Sequence, residues 1–150
     1  MSLSAPAPDA ERSVLIVDDD HDLLTQLAGC LSAAGFSVAQ ASDGIDALSY
    51  LYATRPRAVL IDLMMPRMNG VELIEQIRSD PSFDGVDVVA MSGMPTMLAR
   101  AQKAGADKIL CKPLEPMVLV RALSRSQRTG VSSSPGAPVS PRDKEPQRSA

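Results

Sequence analysis

The 150 residues fit one ordinary domain, on a loose prior of about 150 residues per domain. Apolar residues make up 45% and charged residues 22%, near the globular averages, so neither a wholly disordered chain nor a membrane protein is expected. A net charge of −3 with 3% aromatic residues and no Trp argues against a generic nucleic-acid binder, which needs a basic surface and rings on which bases stack.

The start, Met1 to Pro6, has neither the basic flank nor the apolar stretch of a secretory signal, and residues 1–12 read as a disordered segment. Val14-Leu15-Ile16-Val17 is then a short, β-branched apolar run. Leu23, Leu24, Leu27, Ala28 and Leu31 follow at helical spacing, with Gly35 as the stop. Phe36–Ala41 is a weaker run that suits an edge strand, and Asp43 can cap a helix carrying Ile45, Leu48 and Leu51. Val59-Leu60-Ile61 is the third strand. Val71, Leu73, Ile74 and Ile77 mark the third helix, which ends near Asp80-Pro81. Val86–Met91, broken by Asp87, predicts the fourth strand, and a short helix around Thr96–Lys103 stops at Gly105. Ile109-Leu110-Cys111 predicts the fifth strand. The last helix runs from about Glu115 to Arg128, with Pro116 tolerated in its first turn. From Thr129 to Ala150, 11 of 22 residues are Ser, Pro or Gly, too little apolar surface to offset ordering, so a disordered tail is expected.

Folding is thereby left to residues 13–128, enough for one core and too few for two. Continuous apolar runs suit strands covered on both faces, as in a parallel sheet. Five of them alternating with five helices predict a doubly wound α/β sandwich.

The polar residues cluster at the strand ends. Asp18 and Asp19 follow the first strand, Asp62 ends the third, Ser92 follows the fourth and Lys112 the fifth. In open α/β sheets ligands bind beyond the carboxyl ends of the strands, where the order reverses. With strand order 2-1-3-4-5, the flavodoxin-like arrangement, that point lies between the first and third strands. Carboxylates converging there repel, each pair by on the order of 4 kcal/mol at about 4 Å and an effective dielectric near 20. A hard divalent cation such as Mg²⁺ relieves this. Lys112 adds a point charge and Ser92 a small hydroxyl for phosphoryl oxygens, which describes a phosphoryl-transfer site with Asp62 as nucleophile. A zinc site or disulfide scaffold is not expected from Cys30, Cys111 and the single His21.

At these residues the chain resembles the receiver domain of two-component response regulators. The matching stretches are Val14 to Asp20, Asp62-Leu63-Met64-Met65-Pro66-Arg67-Met68-Asn69-Gly70, Val89 to Gly93, and Cys111-Lys112-Pro113, in family order and spacing over residues 13–128. The resemblance implies that Asp62 accepts a phosphoryl group from a phosphohistidine on a sensor histidine kinase or histidine phosphotransfer protein. It implies Mg²⁺ on Asp19 directly, on Asp18 mostly through water, on Asp62, and on the backbone carbonyl of Met64. Ser92 would be the switch hydroxyl, Lys112 would pair with the phosphoryl group, and Lys112–Pro113 would be cis. A cytoplasmic switch acting through unidentified protein partners follows, with no direct contact to nucleic acid or membrane. It would catalyse only its own phosphotransfer and slow self-dephosphorylation. The alternatives are the receiver half of a longer DNA-binding transcription regulator, or a degenerate receiver used as an interaction module.

Three positions leave the family pattern: Ile109 where an aromatic ring is usual, Leu114 where Phe follows Lys-Pro, and Asn69 for Asp before Gly70. They bear on output rather than on phosphoryl chemistry. Asp20 reads as a helix cap, His21 as a surface residue and Cys111 as a buried strand side chain. Met91 should be core. Met64, Met68, Met94 and Met97 read as loop packing, or as an apolar rim for a partner. Apolar Met64 and Met94, two residues after Asp62 and Ser92, would orient attacking water poorly and lengthen the life of an aspartyl phosphate. Arg121, Arg125 and Arg128 complement the end of the last helix, or form a docking stripe for an acidic partner or a second receiver. A nucleotide or flavin binder is disfavoured because no G-x-G-x-x-G or G-x-x-x-x-G-K-[ST] occurs. A haloacid-dehalogenase-type phosphatase lacks its second acid, because Met64 stands there.

Overall fold

The computed structural model describes residues 12–124. Five parallel strands, β1 (Ser13–Val17), β2 (Ser37–Ala41), β3 (Ala58–Asp62), β4 (Asp87–Ser92) and β5 (Lys108–Cys111), form one sheet in the order β2-β1-β3-β4-β5. Five helices alternate with them: α1 (His21–Ala33), α2 (Gly44–Thr54), α3 (Gly70–Arg78), α4 (Pro95–Ala104) and α5 (Pro116–Ser124). A 3₁₀ turn, Pro81–Phe83, leads from α3 towards β4. The expected doubly wound architecture is therefore present, with β2 at the edge where its weak apolar pattern put it.

Side chains alternate across each strand, which splits the core in two. Val14 and Ile16 face Leu24, Leu27 and Leu31 of α1 and Leu119 and Leu123 of α5. Leu15 and Val17 face the other layer, with Ala47 and Leu51 of α2, Leu73, Ile74 and Ile77 of α3, and Leu98 and Ala101 of α4. Met91 is fully buried, as expected, in the layer of α1 and α5, and Met65 is buried in the opposite layer.

Local chemistry sets the helix ends. The Asp20 side chain accepts from the amides of Asp22 and Leu23, and Gly35 follows α1 at φ 98°. Asp43 caps α2 through the Asp46 amide. Asn69 and Glu72 form a reciprocal capping box on α3, which accounts for Asn at a position where Asp is common. His21 lies exposed in the first turn of α1.

Two expectations are corrected. Ile45 is 62% exposed, because α2 buries Gly44, Ala47 and Leu51 and its neighbour in sequence points about 100° away. Cys111 is exposed rather than buried, because it ends an edge strand that only β4 flanks. Arg12, which the sequence groups with the N-terminal segment, donates to the carbonyls of Gly35 and Ala34 and stacks on Phe36. The remainder of that segment, the tail over 129–150, Arg125 and Arg128 lie outside the described residues; Arg121 is exposed.

Polar networks secure the edge of the sheet at which the strands begin. Asp87 is fully buried and pairs with Lys108 at 3.4 Å, and Lys108 also donates to the Ala122 carbonyl in the last turn of α5. The Arg78 guanidinium donates to the carbonyls of Gly105, Phe83 and Val86 and to Asp107 at 2.6 Å, and Asp107 accepts from the Val88 amide at 2.8 Å. Both partners are largely buried, so deleting one strands the other. Arg78→Ala should lower the unfolding free energy by about 3 kcal/mol in urea titrations. Arg78→Lys should recover little, since an ammonium cannot span the same four acceptors.

Candidate functional site

The strands deliver their polar residues to one place by continuing to pair just past their ends. The Asp18 amide donates to the Ala41 carbonyl at 3.1 Å, that of Leu63 to Met91 at 3.0 Å, and that of Lys112 to Ser92 at 2.9 Å. Asp62 stands opposite Met91 and Ser92 opposite Cys111 in the ladder. The carboxylates of Asp18, Asp19 and Asp62 thus converge, with one oxygen from each within 4.8 Å of the others. Asp18 and Asp62 are buried, at 1% and 4% exposure, and Asp19 is exposed at the mouth.

Lys112 is the cation of the site. Its Nζ lies 3.4 Å from Asp62 Oδ1 and 3.8 Å from Asp18 Oδ2, after a cis Lys112–Pro113 bond as expected. The Met64 amide donates to the same Asp62 oxygen at 3.3 Å. Ser92 is buried and its hydroxyl accepts from the Met94 amide at 3.0 Å. The side chains of Met64 and Met94 are about half exposed, while Met68 and Met97 pack partly against the core. Met68 and Met97 thus pack as loop residues, while Met64 and Met94 present their side chains to the surface.

Asp18 tests whether this pocket suits a cation. Its Oδ1 accepts from the Asp20 amide, but its buried Oδ2 has no hydrogen-bond donor among the described residues. Burial, with the Asp62 carboxylate acting in the same direction, pushes the Asp18 carboxyl up to about 6, against the pull of the Asp20 amide and Lys112. An orphaned buried oxygen among hard oxygen donors, with no His or Cys in the cluster, fits a small divalent cation such as Mg²⁺.

The loop after Asp62 has little freedom. A Cβ on Gly70 would lie 2.6 Å from the Asp62 carbonyl and from Leu63 Cα, so only glycine lets α3 start this close to the strand end. A second restraint on that loop, the ion pair of Arg67 with Asp43, is not visible in the sequence. Residues so far apart in the chain, each in a loop between a strand and a helix, carry no pattern that links them.

An acidic group whose pKa rises on folding stabilises the native state at low pH. The native chain binds the Asp18 proton more tightly than the unfolded chain does, so stability falls as pH rises from about 4 to about 6. Urea unfolding in EDTA should accordingly show this contribution at pH 5 and its loss at pH 7, and Asp18→Asn should abolish the difference. Mg²⁺ should raise the unfolding midpoint at pH 7 and less at pH 5, where the proton competes with it.

Comparison with known proteins follows the same geometry. Residues 14–124 match the family model of the response regulator receiver domain. The response regulator MprA of Mycobacterium sp. (strain KMS) is 37% identical over 131 residues, covering 84% of this chain and 55% of that protein. The chain spans about half the length of this relative, and less of some others. A putative response regulator from Chloroflexus aurantiacus J-10-fl superimposes with a TM-score of 0.71 at 31% identity, over 76% of this chain and 98% of that one. The chemotaxis protein CheY4 of Vibrio cholerae gives 0.72 at 28% identity, over 78% and 99%. The fold, the strand order, the acidic cluster at the switch point and the family match agree, and the chain belongs to the response regulator receiver family.

Proposed function

We propose that this protein is a phosphorylation-controlled switch in a two-component phosphorelay, with Asp62 as phosphoacceptor. The observation that carries the reading is the Asp62 carboxylate at the strand end, with the Lys112 ammonium 3.4 Å from one oxygen and two further carboxylates beside it. In this reading a carboxylate oxygen of Asp62 attacks the phosphorus of a phosphohistidine on a sensor histidine kinase or phosphotransfer protein. The new O–P bond makes an acyl phosphate, the N–P bond breaks, and its electron pair returns to the imidazole.

Asp18, Asp19 and Asp62, with the Met64 carbonyl, would hold Mg²⁺. The ion would offset charge on the transferring group. Lys112 holds an Asp62 oxygen by its charge and then a phosphoryl oxygen. The Ser92 hydroxyl exchanges its Met94 amide contact for a phosphoryl oxygen, which shifts the start of α4. Ile109 is half-buried against the layer that contains Leu98 and Ala101, so no aromatic ring reports that shift there. Output would therefore pass to a protein partner through movement of α4 itself rather than through ring rotation.

No helix among the described residues is long and apolar enough to cross a membrane, in keeping with a cytoplasmic site of action. The same chemistry would serve the receiver part of a longer DNA-binding transcription regulator, a reading supported by the greater length of MprA. The downstream reading frame of the gene distinguishes the two.

Incubation with Mg²⁺ and acetyl phosphate should add one phosphoryl mass to the wild type and none to Asp62→Asn. No adduct on the wild type, even with a cognate kinase, would mark a degenerate receiver. Met94→Glu or Met94→Asn should shorten the acyl-phosphate half-life by about tenfold, because a polar side chain at the mouth can orient the attacking water. A half-life already short in the wild type and unchanged in these variants would remove the lifetime argument.

A further inference from the structure

The loop between Asp62 and α3 contains an unusual backbone. The Met68 amide donates to the Pro66 carbonyl at 2.7 Å, closing a three-residue turn with Arg67 at its centre. Arg67 has φ 69°, a left-handed value that disfavours any residue with a Cβ. An i→i+2 bond across a positive φ is the signature of the rarer, strained γ-turn. Such strain persists only where surrounding contacts over-determine it.

Two contacts from the start of α2 meet the turn itself. Arg67 pairs through Nη2 with Asp43 Oδ2, while Asp43 Oδ1 caps α2 by accepting from the Asp46 amide. Met68 lies so close over Gly44 that a Cβ there would meet its sulfur at 2.6 Å. The first residue of α2 is thus cut away to receive the loop. The same β2–α2 segment also anchors the acidic side of the pocket, since the Ala41 carbonyl takes the Asp18 amide. At the loop's near end, the Met64 amide holds Asp62 Oδ1. These three contacts and the short chain segments between them link Asp18, through Ala41, Asp43, Arg67 and Met64, to Asp62, whose carboxylate converges with that of Asp18.

We propose that Arg67 and Asp43 are positioning residues: their ion pair straps the β3–α3 loop to α2 and so sets the geometry of Asp62 and of the cation site beside it. Neither touches the reacting atoms. The strap rests on the reading of Asp62 as phosphoacceptor only for its consequence in phosphorylation, and its own tests do not need a phosphoryl donor. An ion pair this exposed on the arginine side is also weakened by salt, so the strap loosens as ionic strength rises.

Asp43→Asn is the decisive variant. Asn is as good a helix cap as Asp, so α2 stays capped while the charge partner of Arg67 is lost. Amide exchange of Met64, Met65, Arg67 and Met68 and Mg²⁺ titration, both followed by NMR on the unphosphorylated full chain, are the readouts. Asp43→Asn and Arg67→Ala should each speed exchange and weaken Mg²⁺ binding by about two- to fivefold, the range open to an exposed ion pair. Arg67→Lys should restore most of both. Raising salt should move the wild type towards the variants and leave the variants little changed beyond the general screening of Mg²⁺ itself. Either readout at wild-type values in both Asp43→Asn and Arg67→Ala would overturn the proposal. A normal response here with no phosphoryl adduct on the wild type would sustain the strap and reject the phosphoacceptor reading.

Discussion

Two carboxylates, Asp18 and Asp62, are buried side by side at the end of a parallel sheet, and most of what surrounds them answers that electrostatic cost. Lys112 is placed between them at 3.4 and 3.8 Å, close enough to attract both and too far from Asp18 to satisfy its second oxygen. The backbone amides of Asp20 and Met64 each take one carboxylate oxygen. What they leave is a residual demand for positive charge at one oxygen of Asp18. Three hard carboxylate donors around that oxygen make a cluster consistent with metal binding.

The apolar architecture serves that pocket by being uneventful. Alternating strand residues bury Val14 and Ile16 on one side and Leu15 and Val17 on the other, so β1 is held from both faces and cannot slip register without exposing its core set. Asp18 therefore emerges at a fixed height beside Asp62. The opposite edge of the sheet is closed by charged networks instead, Asp87 with Lys108 and Arg78 with Asp107, which tie helices to strand starts. The charges at the strand starts are held in these separate pairs, whereas those at the strand ends converge on one pocket.

The sheet, the helices and the pocket were legible in the sequence because each rests on a short-range pattern. Apolar runs marked strands, caps such as Asp20 and Asp43 marked helix starts, and the strand-end position of Asp62 pointed to the site. Features that depend on three-dimensional neighbours were not legible. Ile45 is apolar and near a helical period, yet one residue out of phase with the buried stripe. Cys111 sits in an apolar run, yet at the open end of an edge strand. Arg78 and Asp107, like Arg67 and Asp43, are polar residues about 25 to 30 positions apart, and only the fold reveals that each pair meets. Asp87 looked like an interruption in a strand and is instead a buried partner of Lys108.

The clasp of Lys108 on the Ala122 carbonyl also fixes where the described chain leaves the domain. α5 starts beside the pocket, after Lys112-Pro113, and its last turn lies at the strand starts beside Asp87. A strand of five residues separates the two edges by roughly 16 Å. A fluorophore or fusion partner joined directly at Ser124 would therefore begin at the end of the sheet opposite the pocket mouth. For labelling or immobilising this protein, the carboxyl side of α5 is the non-obstructive handle.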